Sequence, residues 1–140
     1  MTTLHRCIIA AFIAHAATSI QAADLETVVA TVGSSEGNLR YALYASEADF
    51  RQKALAVHAE PAKPGEIRFV FKDLPAGDYA LLVYHDRNDN KELDSNLFGM
   101  PSEPWGASLE ERSVFGAPGW QDTVISVPAE GRRVQIRLND

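Results

Sequence analysis

Apolar and polar positions alternate with period two along most of the chain, and each such run predicts a strand with one buried face. Residues 27–32 are rich in β-branched side chains and close at the turn cluster Gly33-Ser34-Ser35-Glu36-Gly37. Leu39, Tyr41 and Leu43 alternate with Arg40 and Ala42, and Ile67, Phe69 and Phe71 alternate with Arg68, Val70 and Lys72. A turn at Pro75-Ala76-Gly77-Asp78 leads into residues 79–84, which are apolar on both faces and so belong at the centre of a sheet. Residues 124–127 form another strand. After a turn at Glu130-Gly131, Val134, Ile136 and Leu138 alternate with Arg133, Gln135 and Arg137.

At least six strands with regularly spaced turns predict an all-β fold, a single immunoglobulin-like or prealbumin-like β-sandwich with one long ordered loop. The helical candidate is residues 46–58. Ser46 with Asp49 mimics a capping box, and Phe50, Ala54 and Val57 keep a rough helical period. An irregular crossover is an equal alternative there.

The first 23 residues follow a different pattern. Arg6 and His5 precede an apolar run from Cys7 to Ala17, small residues follow, and no acid appears before Asp24. This is the layout of a secretory signal peptide. A membrane span needs about 20 apolar residues, and this run is shorter and contains His15. The expected division is therefore a signal peptide at 1–23, cleaved after Ala22 or Ala23, and a sandwich domain at 24–140. Cleavage would remove the single cysteine, Cys7, so neither a disulfide nor a cysteine-based zinc site is expected. The exported product, in the periplasm or outside the cell, has no second stretch suited to stable membrane insertion.

Composition adds two exclusions. A chain of 140 residues that is 46% hydrophobic suits one globular domain and excludes a disordered one. A net charge of −6 opposes phosphate backbones, so nucleic acid is not an expected partner.

The strand pattern breaks from Asp86 to Gln121, a segment holding both tryptophans and four of the nine glycines. Structureless loops beyond about 12–15 residues are uncommon in compact domains unless functional or disordered. Leu97, Phe98, Trp105, Phe115 and Trp120 argue for order, because together they are too apolar to leave in water. Seven acids against two bases between Asp86 and Glu111 concentrate the negative charge here. Function is expected in this loop.

Its most specific element is Asp86-x-Asn88-x-Asn90-x-x-x-Asp94. Calcium takes roughly six to eight oxygens, and alternating Asp/Asn side chains in a tight loop converge on one point. Asp86, Asn88, Asn90, the Glu92 carbonyl and Asp94 match positions 1, 3, 5, 7 and 9 of an EF-hand loop. Lys91 replaces the usual glycine and Leu97 the usual bidentate glutamate; Glu103 could replace that carboxylate if the loop folds back. The expected affinity is weak, on the order of 0.1–1 mM. The alternative is a plain Asx-rich turn, in which Asp and Asn bond their own backbone.

Other chemistry is less specific. A hydrolytic arrangement would use His85 with Asp86 or Glu103, or Ser102 or Ser108 as nucleophile. Adjacent strand residues face opposite ways, which separates His85 from Asp86, and neither serine lies in a nucleophile elbow. A structural hydrogen bond is the expected role of His85. With His58 the only other histidine after the signal peptide, a histidine-rich metal site is not expected. Trp105, Trp120, Phe98 and Phe115 form either a stacking platform for sugar or peptide or staples holding the loop to the sandwich. Arg132, Arg133 and Arg137 read as a solvated strand face.

The run Phe71-Lys72-Asp73-Leu74-Pro75-Ala76-Gly77-Asp78-Tyr79-Ala80, followed by the His85–Asp94 pattern, resembles the bacterial domain of unknown function 2141 family. Phe98-Gly99-x-Pro101-x-Glu103-x-x-Gly106-x-Ser108 and Phe115-Gly116-x-Pro118 continue the resemblance along essentially the whole exported chain. It implies an exported bacterial β-sandwich without an established biochemical activity. Residues 74–79 are also similar, more remotely, to a hairpin of prealbumin-like and carboxypeptidase-regulatory-like modules. The family's loop usually has glycines where this chain has Asp89 and Lys91, and a smaller aromatic where it has Trp105.

The expected function is a non-catalytic binding or structural module with calcium as candidate cofactor and a protein or glycan as partner. An envelope hydrolase using His85 and Glu103 is the rival reading. A plain structural domain, whose loop only covers a sheet edge, is the third.

Overall fold

The computed structural model describes residues 22–109 and 118–139. The predicted leader therefore lies almost wholly outside the described residues, as do Phe115 and the acids Glu110 and Glu111. Eight strands are present: β1 (Ala22–Val32), β2 (Asn38–Tyr44), β3 (Ala56–Pro61), β4 (Gly65–Pro75), β5 (Gly77–Asp86), β6 (Trp105–Ala107), β7 (Val124–Val127) and β8 (Arg132–Ile136). They form a three-stranded sheet, β4-β1-β8, and a five-stranded sheet in which β3-β2-β5-β6 run in order and β7 also pairs β5. The fold is all-β, and two sheets packed face to face make a sandwich. There is no helix among the described residues.

The inward positions are those that the alternation marked. Leu39, Tyr41 and Leu43 of β2, Leu81 and Val83 of β5, and Leu25 and Val29 of β1 are fully buried in one cluster with Ile125, Val127 and Ile136. β5 is central, pairing β2 on one side and both β6 and β7 on the other. Tyr79 turns its hydroxyl back to donate to the Pro75 carbonyl at 2.6 Å, which locks the β4–β5 corner.

The helical candidate is corrected. Ser46 does cap a turn, accepting from the Asp49 amide at 3.2 Å. The turn stops at Arg51, whose φ of 60° lies in the left-handed region where a helix cannot continue. The Leu55 amide then returns to the Leu43 carbonyl, and Ala56–Pro61 pairs with β2 as an edge strand. Its apolar residues are no guide to its state, because Val57 is 76% exposed. His58 faces the other way and stacks on Phe69 of the opposite sheet, centroids 3.6 Å apart, closing the side of the sandwich.

Candidate functional site

The even-numbered residues of β2 and β5 point away from the core, so Arg40, Ala42, Tyr44, Leu82, Tyr84 and Asp86 share the outer face of the five-stranded sheet. Strand pairing sets Arg40 opposite Tyr84 and Asn38 opposite Asp86. Arg40 is thus the diagonal neighbour of Asp86, within reach of a long side chain. Its Nε donates to Asp86 Oδ2 at 2.5 Å and its Nη2 to Asp89 Oδ1 at 2.6 Å.

Asp86 is fully buried. Besides Arg40 it accepts the backbone amides of Asn90 at 3.1 Å and Lys91 at 2.9 Å, which bend the chain into the loop. Burial by itself pushes its pKa up. Arg40 and the two amides outweigh that, and the carboxyl sits below its ordinary value. The loop is pressed close to the β1–β2 turn: a Cβ on Gly37, whose φ is +62°, would meet the Asp86 carbonyl oxygen at 1.9 Å.

Beyond Asp86 the cluster is bonded to itself. The Asn88 and Asn90 amide groups donate to the two Asp94 oxygens at 2.6 and 2.8 Å. Their own oxygens accept the amides of Asn90 and Glu92. Asp89 and Lys91 take φ of 56° and 71°, where glycine would sit without strain. Of the expected metal set of Asp86, Asn88, Asn90, Glu92 and Asp94, the side-chain oxygens of Asp86, Asn88, Asn90 and Asp94 all accept N–H groups, and Glu92 joins the cluster through its own amide. Among the described residues, no group of three or more His, Cys, Asp or Glu is arranged to hold a metal ion.

Glu103 does fold back, as a clamp on the loop backbone. It is 7% exposed, and its two oxygens accept the amides of Arg87 at 2.8 Å and Asp94 at 3.2 Å. His85 faces the interior, with Nε2 2.7 Å from the Glu36 carbonyl oxygen. Its Nδ1 has no partner, and the residue is completely buried. Ser108 is also buried; its hydroxyl accepts the Leu81 amide at 3.0 Å and donates to the Thr123 carbonyl. Ser102 lies on the surface. The structure does not bring His85, Glu103 and either serine together as a reacting group.

The aromatic residues separate into three roles. Trp120 packs edge-on against Phe50, which packs edge-on against Tyr44, stapling two loops to the outer sheet face. Trp105 pairs with Tyr84 across the β5–β6 ladder. With Tyr44, Leu82 and Ala42 it lines a groove of about 280 Å³, bordered by Arg51. Phe98 does neither. Asn96 ties a tight turn by accepting the amides of Phe98 and Met100, and that turn leaves Leu97 fully exposed and Phe98 91% exposed. The expectation that these two would avoid water is corrected: local amide bonding, not apolar burial, orders the tip.

Arg40 was not singled out in the sequence. The outward phase of the β2 alternation was the available signal, since it places a cation on the face from which the acidic loop departs.

The family described as "Uncharacterized protein conserved in bacteria (DUF2141)" matches residues 27–135, which includes all of this loop. The chain belongs to that family. DUF2141 membership carries no activity with it, and comparison with curated proteins and with solved structures finds no match. The Asp86–Glu103 network and the groove lie within the part of the chain that DUF2141 covers.

Proposed function

We propose that this chain is an exported, non-catalytic binding module whose working surface is the groove between the outer sheet face and the ordered loop. The observation that carries the reading is the groove itself, where Tyr84 and Trp105 stand side by side over about 280 Å³. Concave, largely apolar surfaces with a few polar groups are the usual seat of ligands. Export rests on the signal-peptide pattern of residues 1–23.

On this reading the loop needs no metal. A calcium ion would have to displace Arg40 from Asp86 and turn two amide groups away from Asp94, replacing charge-assisted bonds already made. The hydrolytic rival asks His85 and Glu103 for chemistry while both are engaged with backbone groups.

The test is an NMR fragment screen on the exported chain together with a turnover panel of esters, peptides and glycosides. Fragment shifts gathered on Tyr44, Tyr84 and Trp105, without turnover, are the expected result. Turnover that disappears in a folded Glu103→Gln variant would install the hydrolase instead.

A further inference from the structure

Arg51 is the one arginine among the described residues that makes no hydrogen bond or ion pair. Arg40, Arg68 and Arg133 hold carboxylates, and Arg132 donates to the Ser126 carbonyl. Arg87 and Arg137 also have partners. Arg51 instead borders the aromatic groove, on the β2–β3 connection, in a left-handed conformation with φ of 60°. Left-handed non-glycine residues carry strain that persists only where the surroundings enforce it, and they gather at ligand sites.

Three acids of the facing loop are already engaged elsewhere. Asp86 is held by Arg40, Asp89 by Arg40 and Asn38, and Asp94 by Asn88 and Asn90. In a chain of net charge −6, this groove therefore combines flat apolar walls with an uncommitted guanidinium. Burial pushes the Tyr44 hydroxyl pKa up and the nearby Arg51 charge opposes that shift, so the cation acts at the Tyr44 wall of the groove. The volume lies at the small end of ligand sites, roughly 300–1,000 Å³, and suits one ring system better than a long chain.

We propose that the groove binds a small aromatic carboxylate. The ring packs against Tyr84 and Trp105, and the carboxylate pairs with Arg51. A planar guanidinium suits a carboxylate because it offers two parallel N–H donors. This inference rests on the binding-module reading and gives it a ligand class.

The experiment titrates 3-phenylpropanoate and its neutral isostere 3-phenylpropanamide into the exported chain, following the backbone amide resonances of Tyr44, Leu82 and Tyr84, which line the groove. The carboxylate is expected to bind about tenfold more tightly than the amide, in line with the worth of a charge-assisted hydrogen bond. Arg51→Gln should remove the difference, and Trp105→Ala should abolish both. Arg51 is exposed, so its variant should fold, and dispersion of the amide spectrum checks this. Equal affinity of the two compounds in the unaltered chain overturns anion recognition and leaves the groove reading standing. No shift with either compound up to ~20 mM overturns both.

Discussion

Arg40 and Asp86, 46 positions apart in sequence, meet at 2.5 Å on the outer sheet face, and the pair fixes the point where the acidic loop leaves the sandwich. The carboxylate is completely buried, whereas the guanidinium keeps 18% of its side chain in contact with water. Removing one partner of such a pair leaves an uncompensated buried charge, which costs about 3–5 kcal/mol in fully buried cases.

Arg40→Ala should therefore lower the unfolding free energy by about 2–4 kcal/mol, the partial exposure taking it below the buried limit. Urea denaturation measures it. Asp86→Ala in the same background should cost much less than Asp86→Ala alone, because the charge has already lost its partner. Additive losses would show that the two residues do not act as a pair.

Acid should weaken the protein through the same carboxylate. The Asp86 pKa is lower folded than its ordinary value, so the unfolded chain takes up the proton first as pH falls. Its stabilising contribution is complete above about pH 4 and is lost as pH drops from there through the folded pKa. Urea midpoints from pH 6 to pH 2 should fall less steeply for Asp86→Asn than for the unaltered chain.

Calcium should leave thermal unfolding where EDTA leaves it, with midpoints agreeing within about 1 °C at several millimolar metal. Binding at ten times Kd would instead add about 1.4 kcal/mol, a rise of about 3–6 °C for a domain of this size. A rise of that order, lost in Asp86→Ala and absent with magnesium, would replace the metal-free account of the loop.

Lys91→Gly should stabilise the fold by about 0.5–1 kcal/mol, since the residue sits at φ 71°, a conformation that glycine takes without a Cβ penalty. Tyr84 bonds the Lys91 carbonyl at 3.0 Å and would keep that contact. Loss of stability would mean that the lysine side chain itself is needed. Chemical denaturation separates the outcomes.

The two-fold alternation made β1, β2, β4, β5, β7 and β8 legible, because their inward faces fill a single core and the pattern is that of the burial itself. β3 was not legible. An edge strand with exposed Val57 and a terminal Pro61 has no apolar stripe, and the short Ser46 turn before it has the opening of a helix without its continuation. β6 was hidden likewise: three residues held by ladder bonds have no period to show. At the site, the Asp/Asn spacing identified the loop and its Asx bonding was one of the alternatives weighed. The partner that fixes it was hidden in another strand. That Asp86 meets a guanidinium depends on strand register, which brings Arg40 diagonal to it.

Register has a further consequence at the other end of the sandwich. β1, the first described strand, is the middle of its sheet, and its parallel partner is β8, the last, with Leu25 opposite Arg132 and Val29 opposite Ile136. The three-stranded sheet cannot be completed until β8 has been synthesised, and such distant pairings make folding slow. A chain built this way leaves its first described strand without one neighbour until its last described strand arrives.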